Sequence, residues 1–539
     1  MSKVFAWIKQ NYLYALVLSP ALLVWLFWAS RPSYWFNSDP AAWYFLDSLA
    51  VFAGKPYQYV DHPGTPLHLI GSLLLGLASP FFANRADFLQ FFIFRPEIFF
   101  FLTNFFLLAM TIFTLLALYQ TALTALKIDP KPTAIALAWM YFALHPQGFN
   151  SLTYWSHNSF NFIFGTLWLV WLYRAVQNGL PGGRKIFLLG AAAGALAMTQ
   201  LYLLAWLAGG FVTIFSLAWQ TGKSPGQTLK ASALFLAGAL LGIGAMLLPV
   251  FSALPRLSNW LTRLLGSDGL YGSGQQSFYS LALIPASLTF WAQNIPLVLL
   301  ALSLALILLT NRRRQPPLTP PDSAMLYGLL IQPALLLLAL SKMFYRVRYT
   351  LALAAILPIL FLLALKWKEQ SGASSAWLTR GLALGILLAT GFSMSRELLD
   401  LNKRAAIESD AAHARSLAVA TLAQRKNVPE TSLVIVYAFG TPLKCAGLLL
   451  ANNWIHAFDR EIGALCPNQY ALYDFAFDVR LNTPYPVAAI EEIPWDMVIW
   501  PGNGSPLPAY LQSVGAENIP SRWGINRSKW FFIRPGSQK

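Results

Sequence analysis

Two short stretches of an otherwise apolar chain carry groups able to do acid–base chemistry. Asn37-Ser38-Asp39-Pro40 follows the first hydrophobic run, and Tyr57-Gln58-Tyr59-Val60-Asp61-His62-Pro63-Gly64-Thr65-Pro66 comes soon after it. Asp39 has Trp35, Phe36, Trp43 and Tyr44 for neighbours. A carboxylate held among aromatics at an interface can be tuned to the basicity that a general base needs to deprotonate an acceptor hydroxyl. The same residues also describe a helix start, with Ser38 or Asp39 as the amino-terminal cap and proline at the first helical position. Asp61 and His62 sit in a turn broken by proline and glycine, which cannot be ordinary helix. They could position a sugar or acceptor hydroxyl, or join Asp39 around a divalent metal. A rigid turn with a solvated acid is the alternative.

A third stretch, Lys342-Met343-Phe344-Tyr345-Arg346-Val347-Arg348-Tyr349, places three cations around a short turn with tyrosines between them. Guanidinium forks match phosphate oxygens, so Lys342, Arg346, Arg348 and Tyr349 suit an anionic headgroup. Snorkelling at helix ends is the competing explanation. His145, His157 and Asn158 lie in a further connection and could line the same cavity, or be hydrogen-bonded side chains at a helix end.

The elements that must position these residues are membrane helices. Hydrophobic residues make up 56% of the 539 and charged residues 11%, and mean hydropathy is +0.51. A soluble globule has about 25% charged residues. Apolar windows reach the length of about 20 residues that a helix needs to cross a bilayer. The sequence predicts a polytopic α-helical membrane protein of about 11 transmembrane helices. Alternate connections carry Lys3 and Lys9, Lys127 and Lys131, Arg174, Arg184 and Lys185, Lys223 and Lys230, Arg312 to Arg314, and Lys366 and Lys368. By the positive-inside rule those ends are cytoplasmic, with the amino terminus among them. Residues 66–83 are apolar too, but a span there would invert every later loop, so they are expected as a re-entrant or interfacial helix. The first span has no small-residue cleavage site after it and is expected to be retained. A formal charge of +16 and a pI near 9.7 reflect topology and anionic lipid, because the basic residues are dispersed over helix ends; no nucleic-acid partner is expected.

After about residue 395 the texture becomes polar. Residues 1–395 are expected as the transmembrane domain with a first outer loop at about 30–96, 396–424 as a helical connector, and 425–539 as a small extracytoplasmic α/β domain. Leu433–Tyr437, Met497–Trp500 and Trp530–Ile533 have the composition of buried strands, and Leu443 to Trp454 has helical spacing. Cys445 and Cys466, the only cysteines, both fall in this domain, where a disulfide and two buried thiols are equally open.

The order of these features resembles the GT-C superfamily of lipid-sugar-dependent glycosyltransferases, which includes the protein O-mannosyltransferases and the aminoarabinose-lipid A transferase. The matching residues are Asp39 in the first outer loop, the turn Tyr59 to Pro66, and Arg348-Tyr349 leading into a helix with Pro358. The resemblance implies that Asp39 is the catalytic, acceptor-activating acid and that the late basic motif meets the carrier phosphate. It implies a polyprenyl-phosphate-linked sugar as donor, a glycan, lipid or protein as acceptor, and single displacement with inversion. Asp61, His62, His157 and Asn158 would position sugar or acceptor. Three departures stand out: Pro40 where Glu commonly follows the acid, His157-Asn158 where an acid often opens the fourth span, and Gln200 where a lysine is frequent.

A transporter or lipid flippase would also need intramembrane polar residues, but it would bury charge within spans, whereas here polar residues cluster in outer loops. A non-catalytic cell-envelope assembly protein would tolerate replacement of Asp39. Compact loops fit a bacterial inner membrane.

Overall fold

The computed structural model describes residues 2–30, 38–60, 64–127, 130–267, 275–310, 317–343, 347–370, 376–426, 432–437, 444–473, 495–500, 511–522 and 528–533. They form α1 (Ser2–Ser30), α2 (Ser38–Phe52), α3 (Thr65–Ala78), α4 (Arg85–Phe94), α5 (Pro96–Ala125), α6 (Pro130–Ala143), α7 (His157–Val176), α8 (Gly183–Ala197) and α9 (Leu204–Gln220). Then follow α10 (Pro225–Leu247), α11 (Leu254–Gly266), α12 (Leu283–Asn294), α13 (Pro296–Thr310), α14 (Pro320–Met343), α15 (Leu351–Gln370) and α16 (Ala376–Lys426). The carboxy-terminal part holds β1 (Leu433–Tyr437), α17 (Lys444–Ile455), α18 (Asp459–Leu465), β2 (Gln469–Tyr473), β3 (Met497–Trp500), β4 (Glu517–Arg522) and β5 (Ser528–Ile533).

Among the described residues, seven helices are long and apolar enough to cross a membrane, and two bent pairs bring the number to nine if each is one span. Helices α6 and α8 have only 14 and 15 residues. At 1.5 Å per residue they reach only about 21–23 Å, short of a hydrocarbon core about 30 Å thick. Thr65–Phe81 and Arg85–Phe94 meet at 118°. That bend, near Asn84, whose side chain caps α4 by accepting from the Asp87 amide, gives the apolar run at 66–83 the shape of a re-entrant or broken helix.

The chain divides into two compact units. The first comprises Met1–Phe27, Val60–Leu67 and Asn104–Leu398. Its centre is α15, where every residue from Leu351 to Leu365 is buried, as expected of a helix that is apolar all round. Helices α8 and α10 pack through glycine. A Cβ at Gly190 or Gly194 would come within 2.0–2.1 Å of the Phe235 or Ala239 carbonyl oxygen, and one at Gly238 or Gly242 as close to the carbonyls of Phe187 and Ala191. The sequences Gly190-x-x-x-Gly194 and Gly238-x-x-x-Gly242 are therefore read as a close backbone approach, the small-residue device that packs helices in lipid.

The second unit comprises Trp28–Tyr59, His68–Thr103 and Leu399–Lys539. Its sheet has the order β2-β1-β3-β5-β4. Strands β2, β1 and β3 run parallel, and β5 lies antiparallel between β3 and β4. The predicted strands and the helix between the first two of them are present. Cys445 and Cys466 are joined as a disulfide between α17 and the residue after α18. Within this unit α17 packs on α2 and α18 on α4. Lys55 donates to the Ala457 carbonyl and lies 4.5 Å over the Phe458 ring. Lys444 donates to the Phe94 carbonyl and sits 3.7 Å from Glu97. Helices α2 and α4 and the α/β fold thus share one packed body.

Candidate active site

Helix α2 begins at Ser38, so Asp39 falls in its first turn. The Asp39 side chain, and residues Asp61, His62 and Arg346, lie outside the described residues. The segment leading to Asp61 is held by an acid that sequence reasoning missed. Asp47 is fully buried and accepts from the amides of Tyr59 at 2.7 Å and Gln58 at 3.3 Å. His68 Nδ1 stands 3.9 Å from the same carboxylate, between the rings of Tyr44 and Tyr57, whose centroids are 4.9 and 4.1 Å away. An acid inside Trp43-Tyr44-Phe45-Leu46-Asp47 was the available signal, because burying a carboxylate requires hydrogen bonds to compensate it. On the far side of the turn Gly64 takes a φ of 61°, a left-handed conformation natural to glycine. Its amide donates to the Thr199 carbonyl at 3.3 Å.

In the first unit the remaining candidates converge at one end of the helices. Ser156 caps α7, accepting from the Ser159 amide, and this places His157 and Asn158 in a buried first turn. Asn158 Nδ2 lies 2.9 Å from His157 Nε2, and the Tyr202 hydroxyl donates to Asn158 Oδ1 at 3.4 Å. One turn along α7, Asn161 donates to Gln200 at 3.1 Å. The position where a lysine was expected therefore completes a neutral amide pair. Tyr349, also buried, has its ring centroid 6.1 Å from that of His157 and 6.2 Å from that of Tyr202.

Arg348 and Tyr349 sit on a single 3₁₀ turn, Val347–Thr350, ahead of α15. Arg348 Nη1 donates to the Tyr154 hydroxyl at 3.4 Å, and its guanidinium carbon lies 5.9 Å from the Tyr349 ring centroid. Lys342, at the end of α14, donates to the carbonyls of Leu265 at 3.1 Å, Ser277 at 3.0 Å and Phe278. Three carbonyls match the three donors of an ammonium group, so this cation ties the end of α11 and the chain before α12 to α14. His145, two residues past α6, lies 2.9 Å from Thr350 Oγ1 through Nε2 and accepts from the Gln147 amide at Nδ1, 3.1 Å away. Burial lowers this imidazole to about 3, against a smaller upward pull from the Val347 carbonyl. Among the described residues no group of three or more His, Cys, Asp or Glu is arranged to hold a metal.

The arrangement is a buried, aromatic-lined polar cluster bearing an arginine at its margin. It offers hydrogen-bond donors and acceptors to hydroxyls and a guanidinium to an anion. No protein-family model matches the sequence, and no curated protein matches it. Among solved structures the chain is similar to the crystal structure of ArnT from Cupriavidus metallidurans bound to undecaprenyl phosphate. The match covers 98% of this chain and 99% of that one, at a TM-score of 0.50 and 13% sequence identity. The likeness is one of overall fold. A match over the full length includes the carboxy-terminal α/β part as well as the helices, so the predicted fold class holds. Arg348-Tyr349, His157-Asn158 and the Gly64 end of the first-loop turn belong to the same unit.

Proposed function

We propose that the protein is a membrane glycosyltransferase that moves a sugar from a polyprenyl-phosphate donor to an extracytoplasmic lipid, glycan or protein. The observation that carries this reading is the convergence of Arg348-Tyr349 with His157, Asn158 and Tyr202 at one end of a GT-C-type bundle. The undecaprenyl phosphate bound to the structurally similar ArnT supports the donor class. In this reading Arg348 pairs with the carrier phosphate, Arg346 adds charge, and Lys342 orders the adjoining loop while raising the local potential. Tyr349 packs beside the sugar, and His157, Asn158, Asp61 and His62 take its hydroxyls or those of the acceptor.

The acceptor oxygen attacks the anomeric carbon, the bond from that carbon to the phosphate oxygen breaks, and polyprenyl phosphate leaves with the bonding pair. Asp39 takes the acceptor proton. Inversion follows from a single displacement. A phosphate ester leaves readily, so the chain has to supply charge complementarity and one base rather than a covalent nucleophile. Asp61 and His62 remain the residues that would join Asp39 if a divalent metal assists. In this reading the site faces outward from a bacterial inner membrane, with the amino terminus in the cytoplasm.

The test is sugar release from a panel of polyprenyl-phosphate sugars by wild type and Asp39→Asn, with folding and carrier binding measured alongside. Loss of turnover by about 10³-fold with binding retained is the expected result for a missing general base. Equal turnover would move the base elsewhere, and inactivity of wild type toward every donor would return weight to transport or assembly.

A further inference from the structure

A guanidinium on a one-turn 3₁₀ segment is only as well placed as that turn. Such turns have poor hydrogen-bond geometry and are uncommon beyond three or four residues. What holds Val347–Thr350 is therefore part of what holds Arg348.

Thr350 is buried, and its hydroxyl donates back to the Val347 carbonyl at 2.6 Å, closing the turn on itself. A threonine before a helix commonly caps forward, accepting from the first amides; this one faces backward and sideways instead. Its sideways contact is His145 Nε2, from a connection 205 residues earlier in the chain. The histidine's tautomer follows from the network. Nδ1 accepts from the Gln147 amide, so the single proton of the neutral ring is on Nε2 and is donated to Thr350 Oγ1. One chain of donors thus runs from the Gln147 amide through His145 and Thr350 to the Val347 carbonyl. Each group in it is committed in one direction.

We propose that His145 and Thr350 are positioning residues that fix the turn carrying Arg348 and so set its guanidinium for an anionic headgroup. The inference rests on Arg348 being the carrier-phosphate ligand. Thr350→Val removes the hydroxyl with little change of shape, Thr350→Ser keeps it, and His145→Leu and His145→Gln form a second pair in which glutamine can still donate near Nε2.

The experiment measures the affinity of the full-length protein in nanodiscs for polyprenyl phosphate and for the uncharged polyprenol, with thermal stability alongside. Thr350→Val and His145→Leu should weaken polyprenyl phosphate about tenfold and leave polyprenol unchanged, while Thr350→Ser and His145→Gln stay within about twofold of wild type. In an Arg348→Ala background Thr350→Val should have no further effect. Equal losses for both lipids, or an undiminished effect in that background, would make the pair merely structural and overturn the inference. If Arg348→Ala weakens polyprenyl phosphate but Thr350→Val and His145→Leu do not, the inference alone falls. If Arg348→Ala itself changes nothing, the phosphate reading and the inference fall together.

Discussion

The two ends of the first unit hold their charged side chains by different contacts, and three helices run between them. Helix α14 carries Asp322 in its first turn and Lys342 in its last; α7 opens with His157-Asn158 and closes with Arg174; α15 follows Thr350 and holds Lys366 in its final turns. At the Asp322 end, acid and base are matched. Lys366 Nζ lies 2.9 Å from Asp322 Oδ1, Gln177 donates to the same oxygen at 3.2 Å, and the Thr319 hydroxyl donates to the other at 2.8 Å. At the Arg348 end, Arg348 reaches the Tyr154 hydroxyl and Lys342 the carbonyls of Leu265 and Ser277. A matched pair has its field cancelled locally and stabilises the fold.

That contrast can be broken from either end. The largest effect is expected from Asp322→Ala, which leaves Lys366 beside Gln177 without its carboxylate. It should cost about 3 kcal/mol of stability, seen as a lower melting temperature in detergent, with carrier affinity unchanged. Impaired carrier binding by the folded variant would contradict the division of labour. Arg348→Ala should do the reverse: polyprenyl phosphate binding weaker by roughly 30- to 100-fold, about 2–3 kcal/mol, and little change in melting temperature. Its binding should also lose most of its salt dependence.

Protonation sharpens the comparison. The His145 imidazole sits at about 3 in the folded protein against an ordinary 6.5, so between those values the unfolded chain holds the extra proton. This group's contribution to stability is complete above pH 6.5 and is lost as pH falls toward 3. Melting temperature measured from pH 7 to pH 5 should decline, and His145→Gln should flatten the decline; an unchanged slope would remove His145 as its source. The smallest effect belongs to Arg174 at the matched end, which donates to the Thr121 hydroxyl at 2.6 Å and the Ala117 carbonyl at 2.9 Å from an exposed position. Arg174→Gln should cost only about 0.5 kcal/mol and leave carrier affinity alone.

Much of this was legible along the chain, and the illegible part has a common cause. Arg348-Tyr349 and His157-Asn158 stood out because polar residues interrupt apolar helical runs, and the rings of Tyr349 and His157 lie 6.1 Å apart. Thr350 and Tyr154 carried no such signal, since a hydroxyl at a helix end is ordinary until its partner is known. Asp47 could have been suspected from its apolar neighbours, yet its partners are backbone amides, which every residue possesses. The glycine pairs of α8 and α10 were visible as spacing, but which helix each faced was not.

What the amino-acid sequence determined by itself is local: apolar length, the choice of helix over barrel, the sorting of basic residues to alternate ends, and the period of the strands. Each follows from transfer of side chains and backbone into lipid or a sheet, which needs only neighbouring residues. Tertiary structure alone decided that Cys445 and Cys466 are joined, that α2 and α4 pack against α17 and α18, and that His145 reaches Thr350. Those are closures between distant segments, and hydrogen bonds and packing of that kind depend on ångström distances that no local pattern encodes.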